Sequence, residues 1–138
     1  MTWIYENTPY TTTPDEYQGF VYCITNTSNG MKYIGKKNFW TIRKLKPLKG
    51  KTNRRHRREA TDWMAYCGSS AALTEDLSAS PNPPVREILY LCANKTEMAY
   101  WETLLQFKLG VLFDPNYYNE FISCRINTQG VKHIQHPR

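Results

Sequence analysis

The 27 residues from Lys32 to Arg58 contain neither aspartate nor glutamate, and several other absences narrow what this 138-residue chain can be. No apolar run approaches the roughly 18 residues that a membrane span needs, which sets membrane insertion aside. The opening Met1-Thr2-Trp3-Ile4-Tyr5-Glu6 has no basic segment followed by an apolar one, so a secretory leader is not expected. The four cysteines (Cys23, Cys67, Cys92, Cys124) form no C-x-x-C pair, and the three histidines show no zinc spacing. Reduced thiols buried as small hydrophobes are expected, with His133 and His136 as tail residues. There is no internal repeat and no low-complexity tract. With 41% hydrophobic residues the chain is too apolar for disorder, and its length suits one domain over 1–138. The expectation is a soluble, cytoplasmic protein.

What the acid-free stretch does contain is twelve basic residues: Lys32, Lys36, Lys37, Arg43, Lys44, Lys46, Lys49, Lys51, Arg54, Arg55, Arg57 and Arg58. The remaining six basic residues share the rest of the chain with all twelve acids. A solvated face would mix both signs. A self-repelling block points instead to an external polyanion, nucleic acid before any other.

Apolar and turn patterns place the elements. Residues 1–18 are polar and Thr-rich and read as a loose arm with at most one short strand. Phe20–Thr25 and Met31–Gly35 are strand-like runs separated by Asn26-Thr27-Ser28-Asn29-Gly30, and the Asn-Gly pair signals a hairpin. Residues 36–58 carry Pro47 and Gly50 without sustained periodicity and read as a basic insertion of loop or extended strand. Ala60, Trp63, Met64 and Cys67 are spaced i, i+3, i+4, i+7, which predicts a helix starting near Arg57 and ended by Gly68. A shorter helix over 71–77, a Pro-rich loop over 78–84 and a third strand over 85–92 follow. Asn94 and Glu97 resemble a capping box opening a helix that stops at Gly110. Residues 111–138 read as irregular, with 120–138 as a tail. The fold class is α+β, a small mixed or antiparallel sheet of about three strands flanked by helices.

Two features stand out against that frame. Glu102 lies on an apolar helical row with Met98, Leu105 and Leu109, where a carboxylate has to be paired, hydrated or bound to a cation. Tyr22 and Tyr33 face each other across the hairpin, and Gly35 follows at once, in a strand position that often marks close approach of a ligand. Packing is the ordinary role of strand tyrosines, and a salt bridge is the ordinary fate of such a glutamate.

Taken together, Val21-Tyr22-Cys23, Tyr33-Ile34-Gly35, Trp101-Glu102 and Tyr117-Tyr118-Asn119 resemble, in order, the signature segments of the GIY-YIG nucleases. The second triplet matches letter for letter; the first departs from Gly-Ile-Tyr. The resemblance, over residues 20–119, implies a GIY-YIG-like fold and metal-dependent hydrolysis of phosphodiester bonds in double-stranded DNA, as in freestanding homing endonucleases of phage or bacteria. It implies Tyr22 as general base with Tyr33 positioning the water, roles the two can exchange, and Glu102 holding Mg²⁺ or Mn²⁺. It implies Asn119 as a structural hydrogen-bonding residue and an arginine clamping the phosphate, which is Arg43 or else Arg54 or Arg55. The family's frequent histidine has no counterpart after Arg43, and His56 is the substitute. A phenol with pKa near 10 needs nearby cations to act as base, and Lys36, Lys37, Arg43 and the metal are expected to supply them. Gly35 would let the DNA backbone approach, while Lys36, Lys37, Lys44, Lys46, Lys49, Lys51, Arg54, Arg55, Arg57 and Arg58 would contact it. With no helix-turn-helix or zinc module, either the basic insertion reads a groove, a homodimer reads the site, or specificity is low. The competing readings are a non-catalytic nucleic-acid-binding module on the same fold and an unrelated RNA-binding domain using both tyrosines as stacking platforms.

Overall fold

In the computed structural model, which describes residues 2–134, the hairpin expected around Asn29-Gly30 lies at one side of a larger sheet. Strands β3 (Gly19–Thr25) and β4 (Lys32–Asn38) pair antiparallel, with Tyr22 opposite Gly35 and Ile24 opposite Tyr33. The connection is a six-residue loop over 26–31, not a two-residue turn. Asn26 N–H donates to Met31 O at 2.8 Å, Asn26 Oδ1 accepts from Ser28 N–H, and only Gly30 of the Asn-Gly pair has positive φ, at 75°.

The sheet has five strands in the order β2-β1-β7-β3-β4, not about three. The two additional strands come from the segment read as a loose arm. Strand β1 (Trp3–Tyr5) lies parallel to β7 (Val85–Cys92), and β2 (Thr8–Tyr10) returns antiparallel at the edge. The turn between them places Glu6 and Asn7 at φ 50° and 64°. That suits a tight hairpin, but Glu-Asn lacks the glycine that usually announces one. Trp3 anchors the arm: it is 1% exposed, and its indole N–H donates to Trp63 O at 2.7 Å.

The helix expected near Arg57 does not form. Arg55–Ala60 is strand β6, paired antiparallel with β5 (Trp40–Leu45) in a separate two-stranded ribbon, and Trp63–Ala65 is a single 3₁₀ turn. The carbonyls that an α-helix would consume are taken from outside. Buried Arg86 donates from one guanidinium nitrogen to Met64 O and Tyr66 O, both at 2.8 Å, while Trp3 takes Trp63 O. The i, i+3, i+4 spacing was coincidental; Trp63 is buried but Met64 is 49% exposed. The basic insertion is thus mostly the ribbon and its connecting loop.

Helix α1 (Ala71–Ala79) starts at Ser70, whose hydroxyl accepts from Leu73 N–H. Helix α2 (Lys95–Leu109) is capped by Asn94, and Glu97 reaches back to Ala93 N–H at 3.0 Å. Gly110 closes it in the left-handed conformation, φ 61°. The end of the chain is less loose than expected. A short helix α3 (Thr128–Val131) packs on α2, with Asn94 Nδ2 donating to Gly130 O and His133 bonded to Glu97 at 2.7 Å. His136 and the end of the tail lie outside the described residues.

Side-chain alternation along β3 divides the interior in two. Phe20, Tyr22 and Ile24 join Trp3, Phe39, Trp63 and Leu73 on the α1 side, while Val21 joins Ile34, Cys92, Met98 and Val111 on the α2 side. A strand covered on both faces is nearly continuously apolar, as 20–25 is. All four cysteines are free thiols, with Cys92 buried, Cys23 and Cys67 half-buried and Cys124, contrary to expectation, exposed.

Candidate active site

Because β4 is the last strand of the five, its outer edge is where side chains from both faces of the sheet can meet. A cavity of about 450 Å³ occupies that edge. Tyr22, Tyr33 and Gly35 line it from the α1 side, Lys36, Glu102 and Gln106 from the α2 side, and Ser69 to Ala72 at the start of α1 form another wall. Residues 118–121 line it as well.

The 116–119 segment is held along β4 like a partial sixth strand. Lys32 N–H donates to Asn116 O and Tyr118 N–H to Lys32 O. Asn119 extends the ladder with its side chain: Oδ1 accepts from Ile34 N–H at 3.1 Å and Nδ2 donates to Ile34 O at 2.8 Å. The amide serves as a surrogate peptide group, satisfying an edge that would otherwise be left unpaired inside the protein. Tyr118 ties this segment to the hairpin loop and α1. Its hydroxyl accepts from Asn26 and Asn29 and donates to Asp76 at 2.7 Å.

Glu102 is 9% exposed, and burial raises its carboxyl above the ordinary range against the opposing pull of Lys36. Lys36 Nζ lies 3.7 Å from Glu102 Oε1, a loose ion pair. The buried face of α2 comprises Met98, Ala99, Glu102, Thr103 and Gln106, whereas Leu109, expected on the same row, is 43% exposed. Glu102 therefore stands where the apolar half of the helix gives way to the cavity. Gln106, one turn on, donates to Ile34 O at 3.2 Å.

The two phenols differ. Tyr22 is 1% exposed, among Trp3, Phe20, Tyr66 and Tyr33, and its pKa is pushed far up by burial first, then by Tyr66, Tyr33 and Glu102. Tyr33 is half-buried. Its pKa is also raised by burial, but its hydroxyl bonds Ser69 Oγ at 3.1 Å, which eases ionisation. Two of the cations expected to favour a phenolate are engaged by carboxylates. Lys37 is held by Asp62 at 2.8 Å with its ammonium over the Tyr66 ring, and Lys36 faces Glu102.

Gly35 has a reason the strand pattern did not disclose. A Cβ there would lie 2.5 Å from the Tyr22 hydroxyl and 3.0 Å from Tyr33 Cε1. The room left by the absent side chain is filled by the Tyr22 phenol. Gly35→Ala is expected to displace the Tyr22 hydroxyl and lower turnover by about 10²-fold, with folding retained; cleavage rates beside melting curves check this.

Neither Arg43 nor His56 lines the cavity. Both lie on the ribbon, where Lys44 pairs with His56 and Arg43 with Arg57. Lys44, Arg55, Arg57 and Arg58 are exposed on the same ribbon, and Lys46, Lys49, Lys51 and Arg54 are exposed in its loop. Tyr66, Ser69 and Gln106 escaped the sequence reading, and Tyr118 entered it only as the residue before Asn119.

The chain matches the family model described as "Putative endonuclease segE, GIY-YIG domain" over residues 3–122. It belongs to the GIY-YIG endonucleases. No match is found among curated proteins or among solved structures. The GIY-YIG match begins at Trp3, so it takes in β1 and β2, beyond the 20–119 that the signature segments span. Nucleases of this family typically use Mg²⁺. Among the described residues no three His, Cys, Asp or Glu side chains cluster as a metal cage. Mg²⁺ commonly takes one or two carboxylates and fills its other positions with water and phosphate. A single buried carboxylate whose near cation is 3.7 Å away fits that donor set. No helix is long and apolar enough to cross a membrane, among the described residues.

Proposed function

We propose that this chain is a divalent-metal-dependent endonuclease that hydrolyses a phosphodiester of double-stranded DNA in the cavity at the β4 edge. The observation that carries this reading is the convergence of Tyr22, Tyr33, Lys36, Glu102 and Asn119 on that one cavity. Glu102 would hold Mg²⁺ or Mn²⁺, which, when bound, neutralises charge on the phosphate and stabilises the leaving 3′ oxygen.

The chain's own groups divide the remaining work. Lys36 attracts a non-bridging phosphate oxygen, which gives its ammonium a second anion beside Glu102. The first turn of α1, at Ala71 and Ala72, presents the positive end of the helix to the same space and favours an anion there. These two features would do the work expected of an arginine clamp, since no arginine among the described residues lines the cavity. Tyr33, the more easily ionised phenol, orients the attacking water and takes its proton, with Ser69 supporting its hydroxyl. Tyr22, deeper, fixes the Tyr33 ring and the floor. Asn119 and Gln106 hold Ile34, and through it the strand bearing Tyr33, Gly35 and Lys36.

Supercoiled plasmid with Mg²⁺, with Mn²⁺ and with chelator tests the reading. Cleavage is expected with either metal and none with chelator. Burial raises both phenols above their ordinary value of 10.0. The reactive, deprotonated form therefore grows with pH, and the rate is expected to climb about tenfold per pH unit to beyond pH 9. A plateau reached below pH 8, or the same slope in Tyr33→Phe, would take Tyr33 out of the base role. We place the protein in the cytoplasm of a bacterium or phage-infected cell, where its DNA lies, as a freestanding homing-type enzyme. One such cavity cuts one strand, so a double-strand break takes two copies on the duplex or successive nicks.

A further inference from the structure

The β5–β6 ribbon stands apart from the cavity and from the five-stranded sheet, and its two faces differ. One face carries Trp40, Ile42 and Lys44 with His56, Arg58 and Ala60. At its base this face is tied to the body: the Arg58 guanidinium lies 3.9 Å over the Trp40 ring and donates to Asp15 O, and Trp40 Nε1 donates to Pro14 O. The opposite face carries Thr41, Arg43 and Leu45 with Arg55, Arg57 and Glu59. Arg43 and Arg57 sit directly opposite each other, 62% and 59% exposed, and Glu59 holds both, at 3.9 and 3.0 Å.

Like charges opposite each other weaken a ribbon, and a lone two-stranded ribbon is marginal in water to begin with. The chain nonetheless places Arg43 against Arg57, with one carboxylate, Glu59, shared between them and a cationic loop at the tip. An external anion would relieve that repulsion. Six residues per strand at ~3.4 Å give a rod of roughly 20 Å, and the major groove of B-DNA, ~12 Å wide, admits a two-stranded ribbon. The loop turns sharply at Leu48–Lys51, where Lys51 N–H donates to Leu48 O and Gly50 has φ 82°, so the tip stays narrow.

We propose that the β5–β6 ribbon enters the major groove of duplex DNA with the Arg43/Arg57 face toward the bases, and that these two arginines read guanine. The proposal rests on the DNA-cleaving reading of the cavity and adds the element that selects the site. With the other face tied to Pro14 and Asp15, the free face is the one available to base edges. Arginine's planar fork matches the O6 and N7 acceptors of guanine, and Glu59 preorients both forks through ion pairs that the bases then compete for. Lys46, Lys49, Lys51 and Arg54 at the tip are left to flank the groove as phosphate contacts.

The test uses the full chain with chelator, so that no result depends on cleavage. Duplexes are recovered from a random pool by binding and sequenced, and the recovered sites are then lightly methylated with dimethyl sulfate. A shared motif containing guanine is expected, with N7 methylation of its guanines weakening binding about tenfold. Arg43→Ala/Arg57→Ala is expected to lose those guanines from the motif while binding stays salt-dependent through the lysines of the tip, because both donors to guanine are gone. Three results would overturn the proposal: no enriched motif, a motif unchanged in the double variant, or interference confined to N3-methyladenine in the minor groove. If the ribbon reads DNA but no duplex is cut in Mg²⁺ or Mn²⁺, it is the catalytic reading that fails, and the two outcomes stay separate.

Discussion

Glu102→Gln is expected to abolish cleavage, by about 10³-fold or more, and to leave the metal-free protein at least as thermostable as the parent at neutral pH. The two effects have one cause. Burial raises the Glu102 carboxyl, so its charged form is costlier in the folded chain than in the unfolded one. The sign follows from linkage. The stability tied to this group is fully present below its unfolded pKa and is lost as pH rises through its higher folded value. A neutral amide of the same shape removes that loss, and Lys36, at 39% side-chain exposure, can turn to water. Mg²⁺ or Mn²⁺ is expected to raise the melting temperature of the parent and not that of Glu102→Gln. Nicking assays and melting curves at two pH values decide the matter. A variant cutting within tenfold of the parent, or stabilised equally by metal, would strip Glu102 of its role.

Trp3→Ala is expected to cost about 3–5 kcal/mol, lowering the melting temperature on the order of 10 °C. Trp3 is fully enclosed, edge-on to Phe20 at 4.9 Å and to Tyr22 at 5.4 Å, with the Arg86 guanidinium 4.7 Å from its ring. Its indole also holds the 3₁₀ turn through Trp63 O. Truncation leaves a cavity against the wall that supports Tyr22, so activity measured well below the new midpoint is expected to fall as well. A melting shift under 3 °C would mean that the first strand adds little and that the core closes without it.

The hairpin, the third strand, both main helices and the caps at Asn94 and Gly110 were legible because local chemistry decides them. Asn-Gly, an alternating or continuous apolar run, and an N-cap followed by glutamate act within a few residues. That Tyr22, Tyr33, Glu102 and Asn119 belong together was legible as well, because their order along the chain resembles that of one family, and all four line the same cavity. The first two strands were not legible. Trp3-Ile4-Tyr5 is too short to show a period, and its partner in β7 is some 80 residues away. The false helix at 57–67 had the right spacing, but the carbonyls it needed were drawn off by Arg86 and Trp3. The purpose of Gly35 was equally hidden, since its neighbour is the phenol of a residue thirteen positions earlier.

By itself the sequence determined the family, the α+β class, the basic stretch and the order of the residues that meet at the cavity, since each is a property of nearby residues or of their succession. Only the tertiary structure decided that β4 is an edge strand, and that edge is the physical reason groups on opposite faces of the sheet share one space. It also decided that Arg43 and His56 stand on a separate ribbon, because pairing across a nine-residue loop turned the basic stretch away from the cavity. Charge can be counted along a chain; the direction it faces depends on which strand it pairs with.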